Sequence, residues 1–226
     1  EGGYLGRRFI FMYQPKLNLA LQSPNANGSG LYTDDFAMNY FTGLRAQYIL
    51  NKTFTFNFDY TFGVTGMDGE GTIFDQGSDY YITGIEKQYI HTLSLTFRSY
   101  GGGGIAPLGY FGEYGLCMTM FKVNTDNLGG VDFDENPYVF ENESFTGLDP
   151  GIFLGFGRSR VLWDMIYVEY GAEINITLGL FTNTGGLFAD SYESEEDYLK
   201  FKSGSSAANG TFFKSFIGIG FMPLFN

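Results

Sequence analysis

Residues 53–64 read T-F-T-F-N-F-D-Y-T-F-G-V. Phe54, Phe56, Phe58, Tyr60, Phe62 and Val64 share one parity, and Thr53, Thr55, Asn57, Asp59, Thr61 and Gly63 share the other. Successive side chains of a strand point to opposite faces, so this segment predicts a strand with one wholly apolar wall and one polar wall. The apolar wall runs for about the ten residues a tilted strand needs to cross a bilayer.

The pattern recurs. In residues 165–180 the apolar set is Ile166, Val168, Tyr170, Ala172, Ile174, Ile176, Leu178 and Leu180, backed by Tyr167, Glu169, Gly171, Glu173, Asn175 and Thr177. In residues 36–50, Phe36, Met38, Tyr40, Leu44, Ala46, Tyr48 and Leu50 face outward, and Asn39, Arg45 and Gln47 inward. In residues 88–99, Tyr89, His91, Leu93, Leu95 and Phe97 oppose Thr92, Ser94, Thr96 and Arg98. Noisier versions fall at 8–21, 108–123, 146–157 and 211–225. The expected fold is all-β: a transmembrane, antiparallel, up-and-down barrel of eight strands. An even strand number puts both termini at one end.

The connections alternate in length. Those at 22–35, 65–87, 124–145 and 181–210 are long, and those at 51–52, 100–107 and 158–164 are short. Long loops at the cell surface and short periplasmic turns give this asymmetry. Carboxylates gather in the long connections (Asp68, Glu70, Asp75, Asp79, Glu193 and Glu195 among them), and Arg7, Arg8, Lys52, Arg158 and Arg160 flank the short ones. Composition agrees. Phe and Tyr number 25 and 17, yet mean hydropathy is only −0.08. A wall apolar outside and polar inside reconciles the two. The net charge of −12 disfavours nucleic acid, whose phosphates need clustered cations. The chain begins E-G-G-Y, without the basic start and apolar segment of a signal peptide, so export is not read from it directly; a single barrel domain is expected over residues 1–226. Pro15 and Pro223 each remove a ladder donor from the first and last strands, so the closing seam is expected to be irregular.

Residues 214–225, K-S-F-I-G-I-G-F-M-P-L-F, carry Ile217, Ile219, Phe221 and Phe225 on one parity. This segment resembles the terminal strand of outer-membrane barrels, which the barrel-assembly machinery recognises during biogenesis. Here the aromatic is penultimate, before Asn226. The whole chain is similar to the small eight-stranded barrels related to OmpA and OmpX. The turns at 104–109 (G-I-A-P-L-G) and 158–164 (R-S-R-V-L-W-D) resemble those of barrels from Bacteroidota. The resemblance implies a Gram-negative outer membrane, with lipid and lipopolysaccharide as surroundings and other outer-membrane proteins as partners.

The inward sets contain Lys16, Arg45, Arg98 and Lys214 together with Asp59, Glu113, Glu169 and Glu173. Eight strands leave an interior just filled by side chains. Buried charges there must pair, so a lumenal salt-bridge network is expected rather than an open pore or an acid–base pair. His91 is the only histidine and faces lipid; Ser94 has the opposite parity, which separates base from nucleophile. No catalytic residue and no cofactor are expected. Asp132, Asp134 and Glu135 are weak Ca²⁺ candidates, since their spacing departs from an EF-hand. Cys117 is expected to be a buried thiol, and residues 101–104 a flexible turn. Tyr4, Tyr40, Tyr48, Tyr89, Tyr100, Tyr110 and Trp163 are expected in interfacial girdles. Tyr80, Tyr81, Tyr138, Phe140 and Tyr198 would supply partner contacts in the loops. These features favour a structural or accessory barrel, as a subunit of a larger outer-membrane complex. A surface adhesin is the alternative, ahead of a lipid A-modifying enzyme or a narrow channel.

Overall fold

The computed structural model describes residues 7–21, 36–75, 77–101, 105–182 and 191–223. Eight strands close into a barrel: β1 (Phe9–Leu21), β2 (Phe36–Ile49), β3 (Phe54–Asp68), β6 (Ile85–Tyr100), β7 (Gly109–Asn124), β10 (Ser144–Leu162), β11 (Ile166–Thr177) and β13 (Phe213–Phe221). Every pair is antiparallel, and each barrel strand lies beside its neighbours along the chain, with β13 closing on β1. The start of β1 and the end of β13 therefore share the end that carries the short turns. The β1–β13 ladder skips Gln14 and Pro15 and resumes in the same register at Lys16↔Phe216. Pro15 still pairs with Thr42 on its other side, so its missing donor faces the seam. Pro223 lies beyond the end of β13, not inside it as the sequence suggested.

Parity settles which way each side chain points. Leu44, Leu95, Leu116, Ile152, Tyr170 and Ile217 project outward from six different strands, each at least half exposed. Asn57, Asp59, Thr92, Thr96, Arg98, Glu113, Glu169 and Glu173 are buried in the interior. Glycines on the inner wall make room for rings. Phe41 lies over Gly63 and Phe121 over Gly147, each pair directly cross-strand, and a Cβ on either glycine would stand about 2 Å from the ring. At the turn end the interior is apolar: Ile10, Met12, Ile49, Tyr100, Phe111, Tyr167, Phe216 and Met222 pack into one cluster. Tyr100 belongs to that cluster. It shares the parity of Arg98, its hydroxyl accepts a hydrogen bond from Gln47 Nε2, and it is not a girdle residue.

The loop end departs most from the expectation. The connection at 65–87 folds as a hairpin, β4 (Gly71–Asp75) and β5 (Ser78–Thr83). The next contributes β8 (Gly129–Val131) and β9 (Pro137–Tyr138). After β11 the chain makes a helical turn, α1 (Leu178–Thr182), so Leu178 and Leu180 are not strand residues. Then come β12 (Ser191–Tyr192) and an 18-residue helix, α2 (Glu195–Phe212), which runs straight into β13. The short strands form a second sheet in the order β12-β4-β5-β8-β9. At the opposite end β10 continues to Leu162, and the turn shrinks to three residues, with Trp163 and Asp164 both left-handed. Tyr4, residues 22–35, residues 102–104 and Phe225 lie outside the described residues.

Candidate functional site

The eight charged side chains singled out in the sequence lie in one chain of contacts across the lumen. Arg45 Nε stands 2.8 Å from both oxygens of Asp59, its direct cross-strand partner. The Nη1 of Arg45 reaches Glu113 at 3.1 Å and Glu169 at 3.3 Å. Arg98 grips Glu113, its own cross-strand partner, at 2.8 Å and also pairs with Glu169. Lys16 and Lys214 share Glu173, at 2.8 Å and 3.1 Å, and Lys16 lies 3.9 Å from Asp59. Each of these side chains is at most 2 % exposed. Neutral donors complete the carboxylates: Asn57 and Thr96 for Glu113, Gln14 and Tyr167 for Glu169. The Arg98 guanidinium lies 3.6 Å over the Phe111 ring, where the ion layer meets the apolar cluster. Four cations stand among four carboxylates and each makes at least one hydrogen bond, which is how buried charge is tolerated; the Nη2 of Arg45 is the one charged-group nitrogen of the network left without a partner. These side chains occupy the middle of the barrel with almost none of their surface exposed.

A second layer closes the loop end. Ser194 caps α2: its hydroxyl accepts from Asp197 N at 3.2 Å and donates to Asp197 Oδ2 at 3.0 Å. The first half of α2 packs Tyr198 and Leu199 against Ile73 and Ile82 on the inner face of the second sheet, and against Met67 of β3, Val123 of β7 and Leu128 just before β8. The Tyr198 hydroxyl donates to Gly69 O at 2.6 Å. Glu195 ties the β8–β9 segment down, accepting from Tyr138 OH, from Glu141 N at 2.8 Å, and from Asn142 N and Nδ2. Burial and the neighbouring Glu195 carboxylate push the Tyr138 phenol well above its ordinary range; burial does the same to Tyr198. The second half of α2 is made of small residues and sits in the barrel mouth. Ser206 donates to Gly66 O at 2.7 Å, Gln88 donates to Ser203 O at 2.7 Å, and Ala207 packs among Phe41, Ile90 and Phe121. The loop aromatics expected to face partners are mostly the core of this cap. Tyr198 is fully buried and Tyr80, Tyr138 and Phe140 pack beside it, while Tyr81 is half exposed.

The remaining candidates do not converge. Asp132 is capped by its own turn, accepting from Asp134 N, Asn136 N and Asn136 Nδ2. The Asn136 side-chain bond holds its carboxyl below the ordinary value. Glu135 takes a left-handed backbone, and no group of three or more ligating side chains occurs among the described residues. The turn therefore uses Asp132 to organise backbone. His91 shares a hydrogen bond with Tyr60 OH at 2.7 Å on the outer wall, while Ser94 is buried on the inner one. Cys117 is buried and free. Ile217, Ile219 and Phe221 stand exposed on the outer face of β13; Phe225 lies outside the described residues.

No family model and no curated protein sequence matches the chain. Among solved structures it is similar to the N-terminal β-barrel domain of Pseudomonas aeruginosa OprF, at 9 % identity over 96 % of this chain and 98 % of that one, with a TM-score of 0.42. It is also similar to Ail, the attachment invasion locus protein of Yersinia pestis, solved with the heparin analogue sucrose octasulfate (11 % identity, 95 % and 98 % coverage, TM-score 0.40). Neisserial surface protein A is a third, at 10 % identity, 96 % and 97 % coverage and a TM-score of 0.40. By its own strand order and register, the chain is a closed, eight-stranded, antiparallel up-and-down β-barrel.

Proposed function

We propose that the chain is an integral outer-membrane protein of a Gram-negative bacterium with a structural or accessory role. It is a solute-tight barrel that holds a folded cap at the cell surface, as a subunit of a larger outer-membrane assembly. One observation carries the reading: the wall is inverted relative to a water-soluble protein. Large apolar side chains cover the outside of the barrel, and ion pairs fill the inside. In water such a belt would be an aggregation surface; in lipid it is the required one, and a closed barrel leaves no free strand edge there. The turn end, carrying both described chain ends, faces the periplasm, and the acidic cap faces out. Apolar cluster, ion layer and helix fill the lumen in sequence, which supports a role without conduction.

The test is fractionation of expressing cells, followed by electrophoresis with and without heating. The expected result is a heat-modifiable band in the outer-membrane fraction, drawn out by mild detergent together with other envelope proteins. A monodisperse protein obtained in buffer without detergent refutes the membrane reading. Migration from mild detergent as a lone monomer refutes the subunit role alone.

A further inference from the structure

The outer face of the second sheet has no protein layer over it among the described residues. Thr72, Tyr81, Val131 and Pro137 line up as cross-strand partners over four strands on that face. Phe133, in the turn after β8, is 93 % exposed, and Tyr81 and Val131 are about half exposed. With Thr72, Asp79 and Asp132, these three apolar side chains line an open cavity of about 360 Å³. Exposed aromatic and branched side chains gathered round a depression, with a polar rim, are the anatomy of a protein-recognition surface. The opposite face of the same sheet already has its cover, α2, so the outer face is not needed to hold the cap together.

Charge selects the occupant. Residues 69–84 and 125–143, which build the sheet apart from β12, contain nine carboxylates and no lysine or arginine. Asp79 and Asp132 stand on the rim of the cavity itself. A second copy of the chain would bring the same charge against this face. Lipopolysaccharide, with its phosphates, would bring the same sign. Segments 22–35 and 183–190 of the chain itself contain no lysine or arginine to answer the rim. We propose that this face docks a polypeptide segment of another envelope protein, with an apolar or aromatic side chain seated between Tyr81 and Phe133 and flanking lysines or arginines against Asp79 and Asp132. The proposal rests on the reading that the loop end stands clear of the bilayer. It names the partner chemistry that the subunit role requires.

The experiment uses the full chain in detergent micelles and three synthetic peptides, measured by fluorescence anisotropy at physiological salt. One peptide carries a tryptophan between pairs of lysines, the second replaces the lysines by glutamates, and the third replaces the tryptophan by alanine. The expected order is binding of the first alone. Phe133→Ser and Asp79→Asn should each weaken it at least fivefold, and Phe133→Ser with Tyr81→Ser at least twentyfold. All three variants should keep the heat-modifiable band, which separates loss of docking from loss of the barrel. Equal binding of the first and third peptides, or binding untouched by Phe133→Ser, overturns the proposal, because net charge alone would then account for it. Capture of lipopolysaccharide micelles, or dimerisation, that Phe133→Ser abolishes while the peptides stay unbound also overturns it and gives the face to lipid or to a second copy.

Discussion

Glu173 and Lys214 face one another across β11 and β13, but removing them should have very different costs. Glu173 serves two buried cations, Lys16 at 2.8 Å and Lys214 at 3.1 Å. In Glu173→Leu, Lys16 keeps only Asp59 at 3.9 Å, and Lys214 keeps only the edge of its approach to Phe41, 5.8 Å from the ring centre. Breaking one buried pair costs about 3–5 kcal/mol, because the surviving charge is left without compensation. With two cations stranded, Glu173→Leu should cost at least about 4 kcal/mol. Lys214→Met leaves Glu173 still gripped by Lys16 and places an apolar chain beside Phe41. Its cost should be about 1–2 kcal/mol, in the range of an ordinary lost buried interaction. The double variant should be milder than the sum of the two by about 1–3 kcal/mol, the usual coupling of contacting residues. The assay is urea unfolding from lipid vesicles, read by the fluorescence of Trp163, the only tryptophan. A Glu173→Leu protein within about 0.5 kcal/mol of the parent, well below the cost of a broken buried pair, or a strictly additive double variant, would refute the claim that these ions hold one another.

Gly63→Ala puts a methyl group into the Phe41 ring and should destabilise the barrel by about 1–3 kcal/mol, measured by the same unfolding; Gly63→Ala with Phe41→Leu should recover part of it. Planar bilayers containing the purified protein should show no stepwise conductance, and steady channels would refute the proposed solute-tight barrel. Ser194→Ala removes the α2 cap and should cost about 1 kcal/mol locally, seen as faster protease cleavage of the cap with the barrel core intact. The partly buried phenol of Tyr138 and the buried phenol of Tyr198 ionise above their unfolded value of about 10, so their contribution is complete below that pH and is lost as pH climbs through their higher folded values. The absorbance of ionised tyrosine should therefore show a late fraction that appears only as the cap opens, and a single transition near pH 10 would count against the burial.

Alternation carried the barrel because membrane and lumen impose opposite demands on neighbouring residues, and a period of two is hard to mimic. Phe54–Asp68 and Ile166–Thr177 were legible for that reason, and so was the inward placement of Arg45, Asp59, Arg98 and Glu113. Tyr100 was misplaced where its residue type was weighed above its parity. Helix α2 was missed because its second half, S-G-S-S-A-A-N-G-T-F, has poor intrinsic helix propensity and no apolar stripe. Tertiary confinement in the barrel mouth makes it helical. Its start was nevertheless marked, by Ser194 followed three residues later by Asp197 and by three carboxylates in the first turn. The cap core was misjudged because nothing local distinguishes an aromatic that packs within a loop from one that awaits a partner.

Helix α2 passes into β13 without an intervening residue, and β13 is the strand that meets β1. The stopper and the final stave are thus a single mechanical piece. The absence of any residue between Phe212 and Phe213 means that in the folded protein the place of the strand fixes the place of the helix end. The closing seam and the plugged mouth thus share one covalent joint. A change that loosens β13 from β1 therefore also pulls on the helix that lies over the interior ions.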